Sequence, residues 1–372
     1  MKKKIVILAS NISSINIFLK KLILSFNYEL IDIHIISDSI PDKDKLGNTN
    51  YHKTNFVRNI SIISDIKNLF QTFFLFRSIK PDLSISITPK AGLVNSIVSI
   101  FFKNKSLHIF TGQVWYNKKG IFKIFLKYID LIIFYLVKNI FADSQSQINF
   151  LFKEGFKSKN IKLILNGSIC GVDIEKFKTN KNVKYDFKKS NFVDTKYLVI
   201  GYIGRLNSDK GINLLLDAFK KLSYNNKNLL LILVGKDENN YVNLINEAYS
   251  DLNIKYYNFT NNPEKFYQIF DIFCIPSYRE GFGLSALEAS ASSLPVVASN
   301  IVGLKDSILN NITGKLFKVG DIQDLISSLD FFIYDKQARL KFGANGRQRV
   351  KDQFKDIDVI ADLKKSIIKI LN

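Results

Sequence analysis

An α/β fold, two doubly wound parallel-sheet domains facing a central cleft, is predicted by three features of this 372-residue sequence. Short apolar runs alternate with helical periodicity, the signature of strands linked by crossover helices. That rhythm occurs twice, and a lysine-rich polar stretch at residues 176–196 separates the two series. The chain is also too long for one ordinary domain and suits two of about 150–200 residues. With 47% hydrophobic and 23% charged residues, it has the composition of a folded protein.

The elements follow in order. KKIVILAS opens the chain as a strand buried on both sides. IDIHIIS (31–37) repeats the pattern, Asp65–Ile79 reads as a helix, and LSISITP (83–89) as a strand ending in a Thr-Pro-Lys turn. SLHIFTG (106–112) and NIFADS (139–144) are further strands. After the polar stretch come the strand YLVIGYIGRL, a helix at 211–222, the strand LLLILVG and a helix at 239–249. IKYYNF, DIFCIPS and PVVAS complete the second series, and Gln337–Asn372 is helical and lysine-rich. The expected domains are 1–180, 181–350 and a terminal helix, 351–372, that crosses back to the first domain.

Composition excludes several classes. Cys170 and Cys274 stand far apart with no metal-like spacing, and a reduced thiol is expected at each. MKKKIVILAS has too short an apolar run for a signal peptide. The longest apolar run, Leu131–Val137, falls far short of the ~20 residues that span a bilayer. A cytoplasmic protein is therefore expected. The net charge of +20 is uneven: residues 1–180 carry 26 basic and 12 acidic side chains, the remainder 27 and 21. A basic first half points to an anionic partner. Charge alone would suit a nucleic acid, but no recognition helix, zinc module or aromatic RNA platform is present, so none is expected.

Two constellations carry chemistry. In IPSYREGFGLSALEASASSLPVVASNIVGLK (275–305), an apolar strand runs into a glycine loop, then a small-residue helix, then a second strand. That arrangement aims backbone amides at an anionic ligand. Glu280 and Glu288 bracket Gly281, Phe282, Gly283 and Leu284. Two carboxylates beside a phosphate cradle repel phosphate, so they suit sugar hydroxyls, and the block reads as a nucleotide-sugar site. The bland alternative is a glycine turn with two solvated helix-start charges. In GYIGRLNSDKG (201–211), a buried strand ends at Gly204, and Arg205 and Lys210 project from the loop that follows. A planar fork and a point charge five residues apart suit a diphosphate. Two surface cations before a helix are the plainer alternative.

The glutamate block resembles the signature of retaining family-4 glycosyltransferases, whose GT-B fold pairs two Rossmann-like domains. ITPKAG, HIFTGQVW, ADSQSQ and NGSICGVDIEKF resemble a subgroup that assembles bacterial surface polysaccharides such as capsule and O-antigen. The resemblance implies that Arg205 and Lys210 hold the diphosphate of a nucleotide-sugar donor, a UDP-sugar such as a UDP-N-acetylhexosamine, or alternatively a GDP-sugar. It implies transfer with retention to a polyprenyl-diphosphate-linked saccharide. His108, at the end of a predicted strand just before Thr111-Gly112, is a catalytic candidate, although a lone strand histidine is more often structural. SNISSINIF, after the first strand, departs from the family by lacking glycine. A UDP-sugar epimerase of similar architecture is the competing enzyme.

No paired Asp-x-Asp follows a strand. Asp42/Asp44 lie in a lysine-rich turn and Asp356/Asp358 in the terminal segment, so neither a metal nor any other cofactor is expected. In 118–138, Lys119, Lys123 and Lys127 recur every four residues on a predicted amphipathic helix. Either they form a solvated face, or they hold the protein peripherally on the anionic inner face of the cytoplasmic membrane.

Overall fold

The computed structural model of the protein describes residues 2–41, 46–57, 61–157, 161–180, 186–187, 189–191 and 193–372. Asp42, Asp44 and part of the lysine-rich stretch, residues 181–185, 188 and 192, lie outside the described residues. The chain forms two units, Met1–Cys170 with Ile357–Asn372, and Gly171–Asp356.

The first unit is a seven-stranded parallel sheet in the order β3-β2-β1-β4-β5-β6-β7. Its strands are β1 (Lys3–Leu8), β2 (Ile31–Ser37), β3 (Thr49–Lys53), β4 (Leu83–Ser86), β5 (Lys105–Phe110), β6 (Asn139–Ala142) and β7 (Ile161–Leu163). Its helices are α1 (Ile12–Phe18), α2 (Lys20–Ser25), α3 (Ile62–Ile79), α4 (Pro89–Val98), α5 (Gly120–Leu136) and α6 (Gln145–Lys153). Alternation along β1 feeds both faces of the sheet. Ile5 and Ile7 pack into a core with α1, α2 and the terminal helix, whereas Val6 and Leu8 pack with Phe76 of α3 and Val94 of α4. The Thr-Pro-Lys segment, read above as a turn, starts α4 instead. Pro89 takes the first helical position, where its missing N–H costs nothing.

The second unit is a six-stranded parallel sheet in the order β10-β9-β8-β11-β12-β13. It contains β8 (Leu198–Ile203), β9 (Leu229–Val234), β10 (Ile254–Tyr257), β11 (Ile272–Ile275), β12 (Val296–Ser299) and β13 (Gly314–Phe317). The helices are α7 (Ile212–Asn225), α8 (Tyr241–Ala248), α9 (Pro263–Ile269), α10 (Leu284–Ala291), α11 (Leu304–Ser307), α12 (Ile322–Tyr334) and α13 (Lys336–Gln353). Both sheets reverse strand order about their first strand, which opens a switch point between β1 and β4 and another between β8 and β11.

The boundary between the units falls ten residues earlier than the composition shift suggests. Residues 171–180 are tied to the second unit: Asn180 N donates to Gln268 Oε1 at 2.8 Å, Lys176 pairs with Glu264, and Phe177 meets the Tyr267 ring edge-on. The lysine-rich end of the chain is two helices. After α13, α14 (Asp356–Leu371) places Val359, Leu363 and Ile367 in the first unit's core beside Ile5, Ile7 and Ile33. The break falls at Phe354, which is fully buried.

Candidate active site

Three loops of the second unit converge at the switch point. The first leaves β8 at Gly204, where Asn207 caps a 3-10 turn, Ser208–Lys210. The second leaves β11 at Pro276 and ends at Gly283, whose φ of +84° delivers the chain into α10. Tyr278 N donates to the Asp209 carbonyl at 2.9 Å, and Arg279 reaches the Asp209 carboxylate at 3.7 Å, so the two loops are stitched together. Glycine is required where they touch. Gly211 has φ +70° and faces the Pro276 carbonyl, and Gly303, on the loop after β12, has φ +89° and faces the Gly281 carbonyl. A Cβ at either would collide with backbone oxygen.

This packing places three of the sequence-predicted residues, Arg205, Lys210 and Glu280, in two ion pairs, with Glu238 as the fourth partner. Lys210 Nζ lies 2.6 Å from Glu280 Oε1, which also accepts from Ser277 Oγ at 2.8 Å. Arg205 donates to Glu238 Oε2 at 3.0 Å, and Asn207 Nδ2 donates to the same oxygen at 2.8 Å. Both cations are thus held by carboxylates at the carboxyl ends of adjacent strands, where a diphosphate could exchange for either. The first amides of α10 add a positive dipole end there, having no intrahelical partners. Gly204 ends β8 with its N–H on the Val234 carbonyl. Phe282 points away from the loop and packs on Phe354, so its side chain serves the core. Leu284 begins α10 and is partly exposed.

Glu288 sits one turn further along α10. The Tyr267 hydroxyl donates to its Oε2 at 2.9 Å. Burial pushes its carboxyl up to about 7, against the opposing effect of the Tyr267 hydrogen bond. The folded state therefore keeps a proton that the unfolded chain releases between about pH 4.5 and 7, so stability should fall as pH rises through that window and level off above it. Glu288→Gln is expected to remove this component and gain on the parent as pH rises. Urea midpoints measured across the range check it. Parallel pH dependences in parent and variant would show that Glu288 ionises normally.

His108 is not placed for catalysis. It is 2% exposed, with Nδ1 2.9 Å from Ser86 Oγ, its ring edge-on to Phe110, and Gly92 of α4 covering it. Burial lowers its pKa to about 3. The sequence reading put it at a strand end, but β5 runs two residues further, to Phe110, and the overlying α4 closes it off from solvent. In the loop after β1, Asn11 caps α1 by accepting from Ser14 N, and Ser10 N donates to Thr88 Oγ1, so side chains shape a turn that lacks glycine. Glu238, Asn207, Ser277 and Tyr267 were not anticipated. Of these, Glu238, in GKDEN after one buried strand, and Ser277, at the end of DIFCIPS, stood where strand-end logic could have found them. Both cysteines are buried, and burial pushes the Cys274 thiol up. Among the described residues no cluster of His, Cys, Asp and Glu could hold a metal, and no helix is long and apolar enough to cross a membrane.

The family model for glycosyl transferases group 1 matches residues 183–349, which contain all three loops. The capsular polysaccharide biosynthesis glycosyltransferase CapM of Staphylococcus aureus is 31% identical over 335 residues, covering 87% of this chain and 86% of CapM. The chain is a group 1 glycosyltransferase. This glycosyltransferase is also 27% identical over 357 residues to the UDP-Gal:alpha-D-GlcNAc-diphosphoundecaprenol alpha-1,3-galactosyltransferase of Escherichia coli, covering 90% of this chain and 89% of that one. Its fold matches Anabaena HepE, solved in complex with UDP-glucose, with TM-score 0.82 and 18% identity over 98% of this chain and 99% of HepE. Its two Rossmann-like parallel sheets are those of the GT-B fold.

Proposed function

We propose that this glycosyltransferase is a retaining, family-4 enzyme that moves a sugar from a UDP-sugar to a polyprenyl-diphosphate-linked saccharide in bacterial capsule or O-antigen assembly. The observation that carries this is the convergence of Arg205, Lys210 and Glu280 at the β8/β11 switch point. A donor diphosphate would draw Arg205 from Glu238 and Lys210 from Glu280. Glu280 is then released to accept from hydroxyls of the transferred sugar, and Glu288 from the ribose. The UDP-glucose complex of HepE and the UDP-galactose donor named for the E. coli relative support the choice of base. That relative's diphosphoundecaprenol acceptor supports a lipid-linked one here, bound by the first unit at the inner face of the cytoplasmic membrane.

In the reaction the acceptor oxygen bonds to the anomeric carbon on the face that the leaving group departs. The bond from that carbon to the diphosphate oxygen breaks, and the acceptor proton passes to the departing phosphate. Arg205 and Lys210 stabilise the charge that develops there, the role a metal takes in other transferases. A thermal-shift screen of UDP-, GDP-, ADP- and dTDP-sugars tests the donor, with the UDP series expected to stabilise most. A GDP-sugar response alone would overturn the base assignment. An inverted anomer in the product would overturn retention, and isomerised donor without acceptor would indicate an epimerase.

A further inference from the structure

Within residues 118–138 the helix is α5, Gly120–Leu136, and its faces are distributed differently from the lysine-stripe expectation. Lys127 pairs with Glu154 at 2.7 Å, and Lys123 and Lys127 both lie over the Trp115 ring, 5.8 and 5.7 Å from its centroid. Two of the three stripe lysines are therefore folded against the body of the unit. The side that α5 gives to solvent is apolar. Ile121 is 86% exposed and Tyr128 62%, and Phe125, Ile132 and Tyr135 are also exposed. Their steps of three and four residues draw one continuous stripe along the helix. The opposite side is anchored by buried Ile133 and Phe134, and by Asp130, which accepts from Trp115 Nε1 at 2.7 Å. Helix α3, on the other side of α4, has a similar exposed stripe, Ile62, Ile66, Phe70 and Phe74.

A stripe of large apolar side chains on this scale marks a surface that something covers. Charge decides what. Between Ile97 and Lys138 the sequence holds seven lysines and a single acid, the buried Asp130. Lys138, two residues past the end of α5, lines an open depression of about 650 Å³ with Lys105, Lys162 and Lys369, and no carboxylate is among its lining residues. A second copy of the chain would bring this basic rim against itself. An anionic bilayer answers both the rim and the stripe. We propose that α5 lies flat in the interface of an anionic membrane, with the Ile121–Tyr135 stripe among the acyl chains and the flanking lysines at the level of the phosphates. This rests on the membrane-facing part of the proposed function and changes its basis from a lysine stripe to insertion of an apolar face.

The test uses the full chain with vesicles of phosphatidylcholine alone or mixed with phosphatidylglycerol. The parent should favour the anionic vesicles, and salt should weaken binding without abolishing it, because only the electrostatic part is screened. The double variant Ile121→Glu/Phe125→Glu should bind at least about tenfold more weakly. Phe125→Trp should show blue-shifted emission and quenching by brominated acyl chains, against the constant background of buried Trp115. Unchanged binding by the double variant overturns the proposal. So does complete loss of parent binding in salt without a blue shift, which leaves lysine adsorption alone. Dimerisation of the parent that the double variant loses, with no vesicle binding, would assign the stripe to a second copy. An unaltered UDP-sugar thermal shift in the double variant shows its donor site intact. Failure of the parent to respond to any nucleotide sugar would instead strike the proposed function and leave the vesicle result standing.

Discussion

Replacing Arg205 with alanine is expected to lower kcat by about 10² or more while barely moving the thermal midpoint, and the parent is expected to turn over in excess EDTA. The asymmetry follows from exposure. Arg205 is 43% exposed where it meets Glu238, so the ion pair contributes about 0–1 kcal/mol to folding. Its guanidinium nonetheless stands at the strand ends where charge would build on a departing diphosphate. A fork bound to phosphate is not replaced by an ammonium, so Arg205→Lys should recover only part of the loss. Lys210 should behave differently. Its pair with Glu280 is more enclosed, at 18% and 13% exposure, so Lys210→Ala should both slow turnover and lower the midpoint by leaving a carboxylate unpaired. Activity abolished by EDTA and restored by Mn²⁺ or Mg²⁺ would falsify the division of labour, because a metal would then carry the charge assigned to these two side chains.

The second large effect is expected at Glu280. Losing a charged hydrogen-bond partner to a sugar hydroxyl costs about 1.5–3 kcal/mol, so Glu280→Ala should reduce kcat/KM roughly 10- to 150-fold. Glu288→Ala should act more through the donor KM, since Glu288 is assigned to the nucleotide. Glu280 also holds Lys210 and Ser277, so its removal frees a cation as well as a contact. A double-mutant cycle with Lys210→Ala separates the two effects. The pair should be strongly non-additive, because each single change already breaks the 2.6 Å contact. Additive losses would mean that the ion pair is incidental to catalysis, and near-parental kinetics in Glu280→Ala would remove it from the site.

What the sequence determined by itself was the pattern of the interior. Central strands are buried on both faces, so Leu229–Val234, Ile272–Ile275 and Val296–Ser299 announce themselves as apolar runs. The strands that escaped notice, β3, β7 and β13, all lie at sheet edges, where half-exposed residues such as TNYHK carry no such run. The glycine loops were legible because positive φ and close backbone approach restrict residue type locally, and the two glutamates and the Arg-Lys pair stand beside them in sequence. Tertiary structure alone decided which side chain meets which. Lys210 and Glu280 are seventy residues apart in sequence, and only the β8–β11 pairing makes them neighbours. Burial was equally invisible to local pattern. His108 stands near a strand end yet lies beneath α4, and Lys123 and Lys127 of α5 fold onto Trp115 while one stripe of its apolar residues faces out. Periodicity fixes which residues share a face of a helix, but the direction that face takes depends on what packs against it.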